Sequence, residues 1–302
     1  MKALFLDCNA QLGPVFEHVV RPDDPPISVN YEPYERTAIP QILSGYGICL
    51  DDHSYLPTDI VAQCPDLRHV VFLGTGAASY MNVAELKELG ITVHTIKGYG
   101  DIAVAEHTIT LMLAACRDLA VMDREIRSGI WLTREGSQFF GKTLGLIGLG
   151  GIGMEVARIA RGMGMNVIAW NRSARSGAPA EMVSLDDVLA RSDIVSLHLV
   201  LNDETRGLLD ATRIAQLKPG CILVNTARGA LVDEAAMLQA LESGHIRHAA
   251  LDVFHDEPLK ADHPLAKMQN VTLSAHSAFR TPEASETLIR RAIDIVRDIV
   301  AK

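Results

Sequence analysis

Residues 143–153 read Thr-Leu-Gly-Leu-Ile-Gly-Leu-Gly-Gly-Ile-Gly, and helically spaced apolar residues follow over 154–161. The apolar run before Gly148 predicts a buried strand, so the glycines lie at a strand-to-helix turn. Gly148 permits the tight turn, Gly150 lets the backbone approach a pyrophosphate, and Gly153 lets the helix pack closely on its strand. The first amide groups of that helix then face the phosphates. The stretch therefore predicts a dinucleotide-binding turn, located in mid-chain.

Short apolar runs alternate with helical patterns on both sides of this turn. Before it, we predict strands and helical segments, in chain order, at 3–6, 40–43, 47–50, 58–63, 69–73, 83–89 and 91–94. After it, we predict six strands at 143–147, 166–170, 194–199, 221–225, 248–253 and 271–274, separated by helices. Such alternation is typical of parallel sheets covered by helices. The fold class is therefore α/β, with two doubly wound parallel-sheet domains.

Three further segments carry separate predictions. The proline-rich residues 21–40 are predicted to form a loop. Residues 104–119 are predicted to form one helix, buried between domains or between subunits. Residues 282–302 are predicted to form an amphipathic helix that returns to the first domain.

Bulk composition excludes several classes of protein. A net charge of −9 argues against a general nucleic-acid-binding or anionic-membrane surface. The five cysteines are scattered without a C-x-x-C pair, which predicts free, buried thiols in a reducing compartment. A strand-like run follows Met1 directly, and no apolar stretch is long enough to span a bilayer. We therefore expect a cytoplasmic protein without a membrane or nucleic-acid partner, and no metal site.

Three chemistry-bearing residues follow three of the predicted strands after the turn. Arg228 follows strand 221–225, Glu257 follows strand 248–253, and His276 follows strand 271–274. Carboxyl ends of strands in such sheets converge on the ligand crevice. Arg228 suits a substrate carboxylate, His276 suits proton transfer to a carbonyl oxygen, and Glu257 suits stabilisation of the imidazolium. Each residue alone would more often be a solvated or structural group, but together they favour catalysis.

These residues lie in motifs that resemble the D-2-hydroxyacid dehydrogenase family, from about residue 73 to 283. The resemblance is strongest over 217–234, which contains N-T-A-R-G, and over 250–276, which begins with A-L-D-V-F. It implies that Arg228 binds the substrate carboxylate and that Glu257 pairs with a catalytic His276. It also implies a nicotinamide contact by Asp252. The resemblance also implies that the loop of Gly74, Thr75, Gly76 and Ala77 forms a substrate cradle, in which backbone amides bind the substrate carboxylate. The remaining cofactor contacts are expected at Gly148, Gly150, Gly151, Ile152, Gly153, Thr226 and Ala227.

The same resemblance implies the domain organisation. A flavodoxin-like substrate-binding domain comprises residues 1–97 and 282–302, and a Rossmann NAD(P)-binding domain comprises residues 98–281. Insertion of one domain into the other explains why the glycine turn lies in mid-chain. Relatives are usually dimeric through the helix near 104–119, so we expect a homodimer.

The residues after the second strand of the dinucleotide domain depart from the usual NAD pattern. NAD enzymes place an acid there for the ribose hydroxyls, whereas this chain has Asn171, Arg172 and Ser173. Without the acid a 2′-phosphate is not repelled, and Arg172 can bind it. We therefore predict NADP as the preferred cofactor, with NAD possible; the alternative is a solvent-facing basic loop.

The resulting hypothesis is an NADP(H)-dependent reductase of small 2-keto acids, with glyoxylate or hydroxypyruvate as substrate. One alternative is a dehydrogenase of another 2-hydroxy acid that uses NAD. Formate enzymes of this family carry Gln where this chain has Glu257, and phosphoglycerate dehydrogenases often carry an added regulatory domain, for which this chain is short. A second alternative is a dinucleotide-sensing binding protein on the same fold.

Overall fold

The computed structural model describes residues 1–173 and 175–301, so Ala174 and Lys302, the last residue of the predicted final helix, lie outside the described residues. The chain forms two compact units. One comprises Met1–Gly100 and the chain from Arg280 onward, and the other comprises Asp101–Phe279. The family resemblance predicts these boundaries at 97/98 and 281/282.

The first unit is built on a parallel sheet with the order β2-β1-β3-β4-β5. Its elements up to residue 100 are β1 (Ala3–Phe5), α1 (Leu12–Val19), β2 (Ile27–Val29), α2 (Ile39–Ile42), β3 (Ile48–Asp51), α3 (Thr58–Val61), β4 (His69–Phe72), α4 (Val83–Glu88) and β5 (Thr92–Thr95). This order is the flavodoxin-like variant of the doubly wound fold.

The second unit is built on a parallel sheet with the order β12-β11-β10-β9-β6-β7-β8. Its elements are α5 (Asp101–Cys116), α6 (Leu119–Arg127), β6 (Thr143–Ile147), α7 (Gly151–Gly162), β7 (Asn166–Trp170), β8 (Glu181–Met182), α8 (Leu185–Arg191), β9 (Ile194–Leu197), α9 (Ala211–Ala215), β10 (Cys221–Asn225), α10 (Glu234–Glu242), β11 (Ile246–Leu251), α11 (Pro264–Lys267) and β12 (Val271–Leu273). The order is that of the Rossmann fold with one added strand, so the predicted fold class is confirmed.

The final helix, α12 (Pro282–Val300), completes the core of the first unit. Successive residues of β1, β3 and β4 point to opposite faces of the sheet; Phe5, for example, contributes to one hydrophobic cluster and Leu4 to the other. The apolar stripe of α12, formed by Leu288, Ile289, Ala292, Ile293 and Val296, packs into the cluster that contains Phe5. Both faces of the sheet are therefore covered, as a parallel sheet requires.

Residues 21–40, predicted to be a loop, contain a strand. β2 is only three residues long, lies at the sheet edge and pairs with β1 alone. Ile27 and Val29 are half-buried while Ser28 is exposed, and Pro25 and Pro26 precede them directly. An edge strand tolerates neighbouring prolines because the side that faces away from the sheet needs no hydrogen bonds to another strand. Three alternating residues are also too few to give a clear periodic signal in the sequence. The two-residue β8 was missed for the same reason.

The helix predicted over 104–119 is also interrupted. α5 ends at Cys116, Asp118 takes a left-handed conformation with φ 50°, and α6 begins at Leu119. The Asp118 carboxylate lies 3.4 Å from Nδ1 of His248 and 3.7 Å from Nη1 of Arg247. The break thus brings a polar side chain to the residues of β11, and α5 packs against α7, β10 and β11 within its own unit.

We expect buried His248 to make the stability of this protein sensitive to acid. Its side chain is 1% exposed, and burial lowers the pKa of His248 from 6.5 to about 4, against the opposing effect of Asp118. Between pH 6.5 and 4, the unfolded chain binds a proton at His248 and the folded chain does not. The contribution of neutral His248 to the stability of the folded state is therefore complete above pH 6.5 and is lost as the pH falls toward 4. We expect His248 alone to lower the free energy of unfolding by about 3 kcal/mol over this range.

Urea unfolding at a series of pH values, compared with His248→Gln, checks this expectation. The variant has no group to protonate at this position, so its stability is expected to fall less steeply between pH 6.5 and 4 than that of the unsubstituted protein. Parallel curves for the two proteins would contradict the assignment.

Candidate active site

The glycine turn after β6 combines two sterically required glycines with one that borders open space. Gly148 has φ 102°, and a Cβ added there would lie 2.5 Å from the carbonyl oxygen of His198. A Cβ on Gly153 would lie 2.5 Å from the carbonyl oxygen of Gly148. Gly150, the residue before α7, would meet nothing within 4 Å. The backbone at Gly150 is therefore open to a ligand, and the glycine turn fits a dinucleotide pyrophosphate.

Gly151 is crowded on a different side. A Cβ there would clash with the Asp101 carboxylate, which lies against the first residue of α7. Ile152, the next predicted contact, is half-buried within the first turn of the same helix. The polar groups that both residues can present to a ligand at the turn are backbone amides.

The loop after β7 is tied back to the glycine turn by Asn171. Its Oδ1 accepts a hydrogen bond from the Leu149 amide at 3.0 Å, and its Nδ2 donates to the carbonyl oxygen of Ser173 at 2.8 Å. Arg172, the next residue, is exposed, and its Nη1 lies 2.8 Å from Oε2 of Glu204. Asn171 thus shapes the loop, while Arg172 and Ser173 present polar groups to solvent.

Glu257 and His276 form a hydrogen-bonded pair. Nδ1 of His276 lies 2.7 Å from Oε2 of Glu257, and Oε1 of Glu257 accepts the Phe254 amide at 2.9 Å. Burial alone would raise the pKa of Glu257, but the hydrogen bonds from His276 and Phe254 and the nearby charge of Arg228 lower it below its usual value. An ionised carboxylate only accepts, so Nδ1 carries the proton and Nε2 is the nitrogen that can exchange one with a substrate.

Asp252 holds the backbone of His276 in an unusual conformation. His276 has φ 49°, which costs free energy in a residue other than glycine. Its amide donates to the Asp252 carbonyl oxygen at 2.8 Å. The Asp252 carboxylate accepts the amides of Ser277 at 2.9 Å and Ala278 at 3.0 Å, and the Ser274 hydroxyl at 2.6 Å. Asp252 thereby fixes the loop that carries His276.

The Asp252 side chain itself is fully buried. Burial would raise the pKa of Asp252, but hydrogen bonds from His107, Ser274 and two backbone amides lower it below its usual value. The carboxylate is therefore an ionised acceptor whose oxygens are engaged within the protein. Its implied contact with the nicotinamide amide stays a prediction.

Arg228 lies in the loop after β10, next to the loop that carries Glu257. Its Nη1 donates to the Ala227 carbonyl oxygen at 2.6 Å. The following residue, Gly229, packs directly on the backbone of Phe254, where a Cβ would clash. Only glycine permits this approach, so Gly229 brings the two loops together. Sequence reasoning missed Gly229, although its place beside Arg228 was a signal.

The other two predicted residues of this loop are fixed by neighbours. The Thr226 hydroxyl lies 2.8 Å from that of Thr108, a buried residue of α5 that donates in turn to the Val104 carbonyl oxygen. The Ala227 amide donates to Oδ1 of Asn225 at 3.0 Å.

The strands β10, β11 and β12 are adjacent in the sheet. The loops that follow them therefore place Arg228, Glu257 and His276 at the carboxyl ends of neighbouring strands.

The predicted substrate cradle follows β4 in the first unit. Gly74 is buried, and a Cβ there would lie 2.9 Å from Cε1 of Phe72. Its carbonyl oxygen accepts the Ile96 amide at 2.9 Å. Thr75 is exposed, Gly76 is half-buried and Ala77 begins a short 3₁₀ turn. The loop therefore has a fixed start and an accessible middle.

Within residues 1–173 and 175–301, no cluster of His, Cys, Asp and Glu side chains has the arrangement of a metal site. Over the same residues, no helix has the length and apolar character needed to cross a membrane.

Comparison with known proteins gives consistent matches. The family model described as D-isomer specific 2-hydroxyacid dehydrogenase, NAD binding domain, matches residues 109–278. A glyoxylate reductase of Aeropyrum pernix is 40% identical over 80% of this chain and 75% of its own length. A D-3-phosphoglycerate dehydrogenase of Mycobacterium leprae is 38% identical over 80% of this chain, but only 46% of its own length is covered.

Solved structures extend the similarity to both units. An acyclic imino acid reductase, Bsp5, in complex with NADPH and D-Arg, has a TM-score of 0.85. It is 28% identical and the match covers 100% of this chain and 97% of that chain. The similarity therefore includes the first unit, which lies outside the range of the family model.

Proposed function

Because this chain belongs to the D-isomer specific 2-hydroxyacid dehydrogenase family, we propose that it reduces small 2-keto acids with NADP(H), glyoxylate or hydroxypyruvate being its substrate. Family membership makes the protein an oxidoreductase that uses a nicotinamide dinucleotide and acts on the CH–OH group of 2-hydroxy acids. The choice of substrate and of NADP over NAD is the proposed part.

The hydrogen-bonded pair of His276 and Glu257 beside Arg228 is the observation that carries the proposed chemistry. The guanidinium of Arg228 offers paired donors to the substrate carboxylate and polarises the adjacent carbonyl. Nε2 of His276 donates a proton to the carbonyl oxygen. Before this transfer the imidazole ring is protonated, and the ionised Glu257 stabilises its positive charge. When bound, the nicotinamide supplies the hydride for the carbonyl carbon. In the oxidative direction His276 accepts the hydroxyl proton.

The end of β7 supports NADP as the preferred cofactor. Asn171 replaces the acid that would repel a 2′-phosphate, and its side chain is occupied by the Leu149 amide and the Ser173 carbonyl oxygen. Arg172 extends from the same loop as a donor. We therefore propose that Arg172 and Ser173 bind the 2′-phosphate, which distinguishes NADP from NAD.

A panel of 2-keto acids assayed with NADPH and with NADH tests the proposal. The panel comprises glyoxylate, hydroxypyruvate, pyruvate and phosphohydroxypyruvate. We expect glyoxylate or hydroxypyruvate to give the highest kcat/KM, and NADPH to exceed NADH by about tenfold or more, since the two differ by one charged group. Equal efficiency with the two cofactors would refute the NADP preference. Absence of turnover with every acid would favour a dinucleotide-binding role.

We also propose that the first unit binds the substrate and the second binds the dinucleotide, and that the enzyme is a homodimer. Six large apolar side chains are exposed along one segment of the second unit: Leu119, Ile126, Ile130, Trp131, Leu132 and Phe140. Exposed apolar side chains at this density are typical of protein interfaces.

Sedimentation of the purified protein tests the dimer. We expect a particle of two chains, and Trp131→Glu is expected to shift it toward one chain, because an unpaired carboxylate would be buried in the interface. A monomer at assay concentrations would contradict the proposal.

A further inference from the structure

The ion pair of Arg172 and Glu204 reaches across the glycine turn. Arg172 follows β7, and Glu204 lies in the loop after β9. In the sheet, β6 lies between these strands, and the turn at Gly148 follows β6. The backbones of β7 and β9 are separated by two strand spacings, about 9.5 Å. The 2.8 Å contact between Nη1 and Oε2 therefore joins two loops on either side of the turn.

Both loops are held by their own hydrogen bonds. Asn171 fixes the backbone on the side of Arg172 through Leu149 and Ser173. On the other side, the Glu204 amide donates to Oδ1 of Asn202 at 3.0 Å, and the Thr205 hydroxyl donates to the Val200 carbonyl oxygen at 2.7 Å. The hydrogen bonds within these two turns hold the backbones of Arg172 and Glu204 where their charged side chains can form the ion pair.

A bound 2′-phosphate would have to compete with Glu204. It carries up to two negative charges and would take the guanidinium donors that the carboxylate now occupies. Glu204 would then lose its partner and would also lie near a second anion, where like charges repel. A dinucleotide without the 2′-phosphate has no phosphate to bind the Arg172 guanidinium, so it does not compete with Glu204.

We propose that Glu204 is a cofactor-specificity residue, which lowers the affinity for 2′-phosphorylated dinucleotides by holding Arg172. This inference rests on the proposed use of NADP(H) and on the assignment of Arg172 to the 2′-phosphate. The two side chains are 80% and 73% exposed, so water and salt weaken the pair and it opens readily. Glu204 therefore moderates the NADP preference and does not abolish it.

The test measures binding to the full chain without turnover, using adenosine 2′,5′-bisphosphate and AMP as probes. Glu204→Gln is expected to tighten binding of the bisphosphate by about twofold to fivefold at low salt, with AMP unchanged. Arg172→Gln is expected to weaken bisphosphate binding and to remove the effect of Glu204→Gln in the double variant.

Glu181→Gln is the matched control. It removes the same charge from another exposed pair of the same unit, since Glu181 lies 3.4 Å from Nη2 of Arg191. Binding of both probes is expected to stay unchanged in this control.

The outcomes separate the two ideas. If Arg172→Gln leaves bisphosphate binding unchanged, the proposed role of Arg172 in NADP selection fails. If Arg172→Gln weakens binding but Glu204→Gln does not tighten it, only the role of Glu204 fails. Equal tightening by Glu204→Gln with and without Arg172, or by Glu181→Gln, would assign the effect to net charge and overturn the paired mechanism.

Discussion

Replacing His276 with glutamine is expected to lower kcat for keto-acid reduction by about 10³-fold, the range associated with loss of a positioned general acid. The amide cannot deliver a proton to the developing alkoxide, although it can still hydrogen-bond to Glu257. Dinucleotide binding, which we propose to occur at the glycine turn after β6, is expected to stay within about twofold, since it involves no proton transfer. Steady-state kinetics and a separate measurement of dinucleotide affinity would show both effects.

His263→Gln is the matched control for this experiment. His263 also lies near a glutamate, with Nε2 3.3 Å from Oε1 of Glu234, but it directly precedes α11, at the far end of the loop that carries Glu257. It tests whether loss of any histidine–glutamate contact lowers activity. The general-acid role would be wrong if His276→Gln kept most of the kcat, or if His263→Gln lost as much.

Replacing Arg228 with glutamine is expected to lower kcat/KM for the keto acid by about 10³-fold, because a desolvated carboxylate would lose its charged partner. Arg228→Lys is expected to recover only part of this loss, since an ammonium group cannot reproduce the paired donors of a guanidinium. The apparent affinity for the dinucleotide is expected to change little. Kinetics with varied keto acid at saturating dinucleotide would measure the effect.

Arg213→Gln provides the comparison for Arg228. Arg213 donates from Nη1 to the Leu208 carbonyl oxygen at 2.8 Å, much as Arg228 donates to Ala227, but it lies on α9. We expect unchanged kinetics for this variant. An unchanged KM for the keto acid in Arg228→Gln would exclude carboxylate binding by Arg228.

Much of the architecture could be predicted from local patterns. The apolar run 143–147, the glycine turn and the following helix have strong and distinct signals, and the corresponding elements β6 and α7 are present. β2 and β8 could not be predicted, because strands of three and two residues at a sheet edge depend on the neighbouring strand rather than on their own periodicity. The helix break at Asp118 likewise depends on contacts with β11.

The candidate site divides in the same way. The sequence was sufficient to predict Arg228, Glu257 and His276 as site residues, from their residue types and from their positions after predicted strands. The supporting contacts were not: Asp252 holding the His276 loop, Gly229 packing on Phe254, and Glu204 meeting Arg172. In each of these three contacts the partners come from different loops.

The sequence by itself determined the fold class, the dinucleotide turn and the order in which chemical groups follow the strands. Local spacing is sufficient for these, because strand and helix periods and the steric freedom of glycine act over a few residues. Only the tertiary structure decided which groups meet. The left-handed His276 is supported by a buried carboxylate, and Arg172 is paired across β6, because strand order brings together residues far apart in the chain.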